Sequence, residues 1–199
     1  MALLSAFALF ALISGSWAYK NLSITIQSDG SLKISETLDS SADVEAIYTE
    51  AMNETGWDIL EVKINVIQHA YSVSDNQRMF AAGVAEGYFT SLGIYQLYTN
   101  IQNTSFWDYT NGPPQNLQTF MQQQATYMNQ QIAKNPTDPF WQYADLLRQQ
   151  LSGLQYGYNL TAASNGVPTY TDSWPFVFLN LVGDLLDLQS ALNPSQRLD

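Results

Sequence analysis

Few residues in this chain have the chemistry to catalyse anything. Its 199 residues include no cysteine and a single histidine, His69, so no thiolate is available as nucleophile or metal ligand. No Gly-x-Ser-x-Gly run exists to seat a nucleophilic serine. Gly183-Asp184-Leu185-Leu186 has the outline of another esterase signature but lacks its serine. His69 follows an alternating apolar segment, where a histidine can shuttle protons or simply end a strand half in solvent. With no nucleophile in view, the second reading is preferred. Asp184 and Asp187 fall three apart on one helical face, a spacing that two carboxylates can use to share a cation. No third ligand follows them, so a solvated or capping role is preferred, and neither a metal nor a cofactor is expected.

Glu86 is the most informative polar residue. On a helix its neighbours at three and four residues are Ala82, Gly83, Phe89 and Thr90, a small and mostly apolar surface that lets another backbone come close. A carboxylate packed there needs either a raised pKa or a buried donor. It is read as lining a cleft or as a satisfied structural glutamate. Tyr88 belongs to the same segment. Trp57, in Gly56-Trp57-Asp58, serves either as the aromatic wall of a lipid-binding cleft or as core packing at a strand entry. Core packing is also expected of Trp107, Trp141 and Trp174.

The elements that must position these residues are legible from periodicity. Asn21–Gln27 and Ser31–Ser35 flank Asp29-Gly30, a hairpin signal. Val44–Met52 predicts a short helix ending before Gly56. From Asp58 to Gln68, Leu60, Val62, Ile64 and Val66 alternate with Glu61, Lys63 and Asn65, as a half-buried strand requires. At Ser74 the period changes to that of a helix, opened by a Ser74/Gln77 capping box and passing through Met79, Phe80, Val84, Tyr88, Ile94, Leu97 and Tyr98. Gly112-Pro113-Pro114 interrupts it. Leu117, Phe120, Met121, Gln124, Met128 and Ile132 mark a second helix. Asp138-Pro139 caps a third, with Trp141, Ala144, Leu147, Leu151 and Leu154 inward. Phe176–Leu192 predicts a final helix, apolar almost all round. Three strands lack partners, and that last helix lacks cover, so a missing partner surface is expected beyond Asp199.

Met1–Ala18 reads as a signal peptide, with the apolar run Leu3–Ile13, small residues Ser16 and Ala18, and cleavage between Ala18 and Tyr19. The run is too short to span a bilayer. Sequons occur at Asn21, Asn53, Asn103 and Asn159, the pattern of N-glycosylation on a secretory route. Seven Lys and Arg against 18 Asp and Glu give a formal charge of −11, which repels phosphate backbones and argues against a nucleic-acid partner. An acidic lumen suits that composition, because it neutralises part of the charge.

Several segments together resemble the phospholipase B-like family, some of whose members are described as laminin-ancestor-like. They are Gly56-Trp57-Asp58-Ile59-Leu60-Glu61-Val62, then Ala82-Gly83-Val84-Ala85-Glu86-Gly87-Tyr88-Phe89-Thr90 with Ile94-Tyr95. Further on come Asp138-Pro139-Phe140-Trp141, Gln150-Leu151-Ser152-Gly153-Leu154 with Gly157-Tyr158, and Phe178-Leu179-Asn180-Leu181-Val182-Gly183-Asp184-Leu185-Leu186-Asp187-Leu188. They follow the family's order across nearly all of residues 19–199.

The resemblance implies an α+β fold, part of the αββα sandwich of amino-terminal nucleophile hydrolases and mostly helical in this portion. It also implies a self-cleaving precursor whose exposed cysteine attacks an ester or amide with its own α-amine as base. That cysteine is expected just past Arg197-Leu198-Asp199, so no catalytic residue is carried onto this chain. The function expected is the amino-terminal, noncatalytic portion of a secreted or lysosomal hydrolase. It would act on acyl ester or amide bonds of lipids, with the carboxy-terminal fragment of the same precursor as partner and lipid as substrate. The alternative is a catalytically inactive secreted glycoprotein that binds lipid or a partner protein. A glycan-binding module using Trp and Tyr is a weaker third reading.

Overall fold

The structure is a computed structural model, and it describes residues 18–103 and 113–193. The signal segment before Ala18, Gly112, Trp107 and the final Arg197-Leu198-Asp199 lie outside the described residues.

The hairpin forms as its sequence predicts. Strand β1 (Ala18–Ile26) pairs antiparallel with β2 (Leu32–Ser35), Ile24 opposite Ile34. Gly30 turns the chain with φ of 82°, a left-handed conformation that favours glycine. Asp29 Oδ1 accepts from both the backbone and the hydroxyl of Ser31.

The helix expected over Val44–Met52 is instead strand β3 (Val44–Glu50), followed by the single-turn helix α1 (Met52–Thr55). Two features override the weak helical spacing. Val44, Ile47 and Thr49 are β-branched, and β3 is paired on both sides, with β1 and with β4 (Ile59–Ile64). The four-stranded antiparallel sheet has the order β2-β1-β3-β4. Three strands therefore do not lack a partner, because the segment read as helix supplies one. The strand predicted to reach Gln68 stops at Ile64, where Asn65 turns inward to bond the carbonyls of Ala42 and Asp43. Val66 is then left exposed.

Helix α2 (Asp75–Asn103) starts at the predicted capping box, with Ser74 N bonding Gln77 Oε1 and Gln77 N bonding Ser74 Oγ. Its Ala81, Val84 and Ala85 pack on Leu22, Ile24, Ile26, Val44 and Ala46, all buried. Each large aliphatic side chain buried in this layer contributes about 2 kcal/mol. Since strand side chains alternate, Asn21, Thr25, Ile47 and Thr49 lie on the opposite face of the sheet.

Helix α3 (Gln115–Lys134) leads to α4 (Pro139–Ala162), where Asp138 Oδ1 caps Phe140 N as predicted. α4 lies parallel to α2 at unusually close range. A Cβ added at Gly83 would sit 2.0 Å from the Gln150 carbonyl oxygen, and one at Gly87 2.1 Å from that of Leu154. The reciprocal positions Gly153 and Gly157 would meet the carbonyls of Phe80 and Val84 at 2.0 and 2.1 Å. This glycine seam sets α4's inner face, so Leu147, expected inward, is exposed.

The final apolar segment is not one helix. It divides into α5 (Trp174–Leu181), a 3-10 turn over Val182–Asp184, and α6 (Leu185–Leu192). Part of it is covered within this chain, since Phe176 and Phe178 are buried against Tyr158, Tyr98 and Leu117 of the helices before it.

Candidate functional site

The three residues selected from sequence occupy three different places. Glu86 lies in the α2–α4 seam, and its Oε2 accepts from Gln150 Nε2 at 3.1 Å. Of the two ways to accommodate a carboxylate there, the geometry supplies the donor. Tyr88, two residues on, is turned about 200° around the helix and faces the sheet. Its hydroxyl donates to Glu36 Oε1 at 2.7 Å. That bond, together with partial burial, raises its pKa to about 12, because both disfavour the phenolate beside a carboxylate. Trp57 follows the left-handed Gly56 and is 76% exposed, so its ring lies outside the core formed by the described residues.

Tyr88 and the segment of Trp57 are joined by an aromatic run across one end of the sheet. Tyr88 meets Phe89 edge-on at 5.6 Å, and Phe89 stacks on Tyr48 at 5.5 Å. Tyr48 then donates to Asp58 Oδ2 at 2.6 Å. Burial and that bond push the Tyr48 phenol up to about 12. Asp58 is held below the usual carboxylate range by Tyr48 and by the amides of Ala51 and Met52, which it caps. Lys20, paired with Glu50 at 2.5 Å, sits 5.8 Å above the Tyr48 ring. This end of the sheet offers aromatic surface between two carboxylates. Glu36 and Tyr48 were missed by sequence reasoning, whereas Asp58 beside Trp57 and Phe89 beside Tyr88 had a local signal in shared motifs.

His69 does not end a strand, since β4 stops at Ile64, and it is only partly exposed. Its Nε2 lies 2.7 Å from Oδ1 of Asp43, with the two side chains 10% and 0% exposed. Asp43 Oδ2 accepts from Ile26 N at 2.8 Å, and Tyr71, stacked on His69, donates to Ile26 O. The group ties the far ends of β1, β3 and the loop after β4. Among the described residues no Ser, Thr or Tyr hydroxyl hydrogen-bonds this pair, so it resembles a structural clasp more than a catalytic dyad.

Asp184 ends the 3-10 turn and Asp187 lies in the first turn of α6, and both are exposed, as the solvated reading expects. Among the described residues no three His, Asp or Glu side chains are grouped to hold a metal. Trp141 lines a cavity of about 410 Å³ with Asp75, Asn76 and Asp145. Burial would raise the Asp145 carboxyl, but donors from Asn76, Arg148 and Gln149 outweigh it and hold the pKa down. Trp174 packs beside Phe178. No helix among the described residues is long and apolar enough to cross a membrane.

The sequons also separate. Asn53 is exposed, Asn21 and Asn159 are half-buried, and Asn103 ends α2 with its side chain outside the described set. Tyr19, at the expected cleavage point, is 62% exposed at the start of β1.

A family model for Phospholipase B matches residues 44–199. Phospholipase-B 81 of Drysdalia coronoides is 34% identical over 172 residues, covering 86% of this chain and 30% of that protein. Phospholipase B-like 1 of Rattus norvegicus is 32% identical, covering 83% and 29%. Phospholipase B-like protein B of Dictyostelium discoideum is 31% identical, covering 87% and 29%. The chain thus spans somewhat under a third of the length of these relatives. The extent of the match, which includes β3, β4 and every helix among the described residues, establishes that the chain belongs to the phospholipase B family.

Proposed function

We propose that this chain is the amino-terminal, noncatalytic portion of a phospholipase B-like hydrolase that cleaves acyl ester or amide bonds of lipids. One pairing of facts carries this reading: the chain matches the family over residues 44–199 yet contains no cysteine. The mechanism implied by the resemblance needs an amino-terminal cysteine, so the reacting atoms belong to a further portion of a family-length chain. The described residues then act as scaffold. The four-stranded sheet with α2 on one face corresponds to one α and one β layer of an αββα sandwich, and a second sheet would stack on the face carrying Asn21, Thr25, Ile47 and Thr49. Glu36, Tyr88, Tyr48 and Asp58, with Trp57 beside them, form the part of this portion best suited to line an acyl-chain cleft, since aromatic walls with few polar groups suit a lipid.

The same reading assigns Met1–Ala18 to a cleaved signal peptide and the protein to a lysosomal or extracellular compartment. The exposed start of β1 at Tyr19 is compatible with a new terminus there. The transcript tests the division of labour: it should continue in frame past codon 199 into a strand with Cys followed by Ser. An immediate stop codon would sink it.

A second reading has its own support. β3 completes the sheet, and α5 is covered by the helices preceding it. A unit so closed can serve alone as an inactive secreted glycoprotein that binds lipid or a partner through Trp57 and the exposed Phe140, Tyr143 and Leu147 of α4.

A further inference from the structure

The four sequons are alike in sequence and unlike in the folded chain. Asn53 stands in the one-turn helix α1 with Met52, Glu54 and Thr55, all exposed. Among the described residues its side-chain amide has no hydrogen-bond partner. Gly56 closes α1 in the left-handed conformation, so the turn projects from the end of the sheet.

Asn159 is committed at both ends of its amide. Its Oδ1 accepts from Tyr170 N, and its Nδ2 donates to Tyr170 O, each at 2.9 Å. The peptide held this way anchors the Tyr170 ring among Tyr158, Tyr98 and Phe176, with centroids 5.4, 5.8 and 6.1 Å away. The third residue of the sequon is no freer. The hydroxyl of Thr161 is buried, 2.9 Å from Ser91 Oγ, and donates to Tyr88 O. A sugar on Asn159 Nδ2 would need the space that the Tyr170 peptide fills, so modification there and this packing exclude each other.

We propose that Asn53 carries an N-linked oligosaccharide and that Asn159 does not. The inference rests on the secretory part of the proposed function. The donor is a polyprenyl-diphosphate-linked oligosaccharide. Asn53 Nδ2 attacks its anomeric carbon, a C–N bond forms, the C–O bond to the diphosphate breaks with its electron pair leaving on the diphosphate, and one amide proton is lost. The glycan would stand at the end of the sheet where Ala18 opposes Glu50 and β4 begins. The α1 turn then faces solvent in a family-length molecule.

The test is to produce the chain from Met1 in a eukaryotic secretory host, sequence the amino terminus of the product, and remove glycans with peptide N-glycosidase in ¹⁸O water before peptide mapping. The expected result is a Tyr19 terminus, heavy-oxygen Asp at position 53, unlabelled Asn159, and loss of one glycan step in Asn53→Gln. Label at position 159 in the folded product overturns the inference. So does an unlabelled Asn53 in protein that begins at Tyr19, with the secretory reading intact. Protein retained in the cell with Met1 in place overturns the secretory reading itself, and the glycan assignment with it.

Discussion

His69 Nε2 lies 2.7 Å from the fully buried Asp43 carboxylate, and the chain's one histidine thereby fastens the ends of three sheet segments. Asp43 takes a second bond from Ile26 N, so removing the imidazole leaves a buried carboxylate only half satisfied. His69→Ala is expected to lose about 2 kcal/mol of stability, the cost of leaving a buried acceptor without its hydrogen-bond partner. Urea unfolding of the variant checks this. A loss below about 0.5 kcal/mol, typical of an exposed site, would show that the clasp is not formed.

The glycine seam makes a second prediction. Gly83→Ala places a methyl 2.0 Å from the Gln150 carbonyl oxygen, which backbone can relieve only by moving α4 away from α2. The expected cost is about 3 kcal/mol. Gly93 is on the same helix with nothing within 4 Å of an added Cβ, so Gly93→Ala should instead gain about 1 kcal/mol from helix propensity. Thermal melts of the two variants should move in opposite directions.

Tyr88 should titrate late. Its phenol is raised from 10 to about 12, chiefly by the bond to Glu36. A raised folded pKa means that the stabilisation is complete below pH 10 and is lost as pH rises from 10 toward 12. Ultraviolet phenolate titration of Glu36→Gln should bring one tyrosine back toward 10, and the alkaline stability loss attributable to it should disappear. An unchanged titration curve would mean that Glu36 and Tyr88 do not meet.

Much of the local structure is legible in the sequence, because caps and turns act through neighbours. Ser74 with Gln77, Asp138 with Pro139, and Asp29-Gly30 each form as their spacing predicts. β3 is misread because nine residues with ambiguous periodicity are decided by pairing with β1 and β4, which lie outside the segment itself. The break at Val182–Asp184 is misread because an all-round apolar segment has no preferred face to reveal a bend. The site is the least legible part. Glu86 is correctly tied to a close helix approach through Gly83, but Tyr88 meets Glu36 across 52 residues, and nothing local in either segment announces the other. Trp57 is exposed because of the Gly56 turn, a backbone feature that hydrophobicity alone cannot convey.

Fatty-acid release from phosphatidylcholine vesicles tests the central claim most directly, using the 199-residue chain alone and a family-length chain side by side at neutral and acidic pH. The account predicts release by the family-length chain, abolished by replacing the cysteine expected beyond residue 199, and none above the vesicle blank by this chain at either pH. Sustained release by purified 199-residue protein, which has no cysteine, would contradict it.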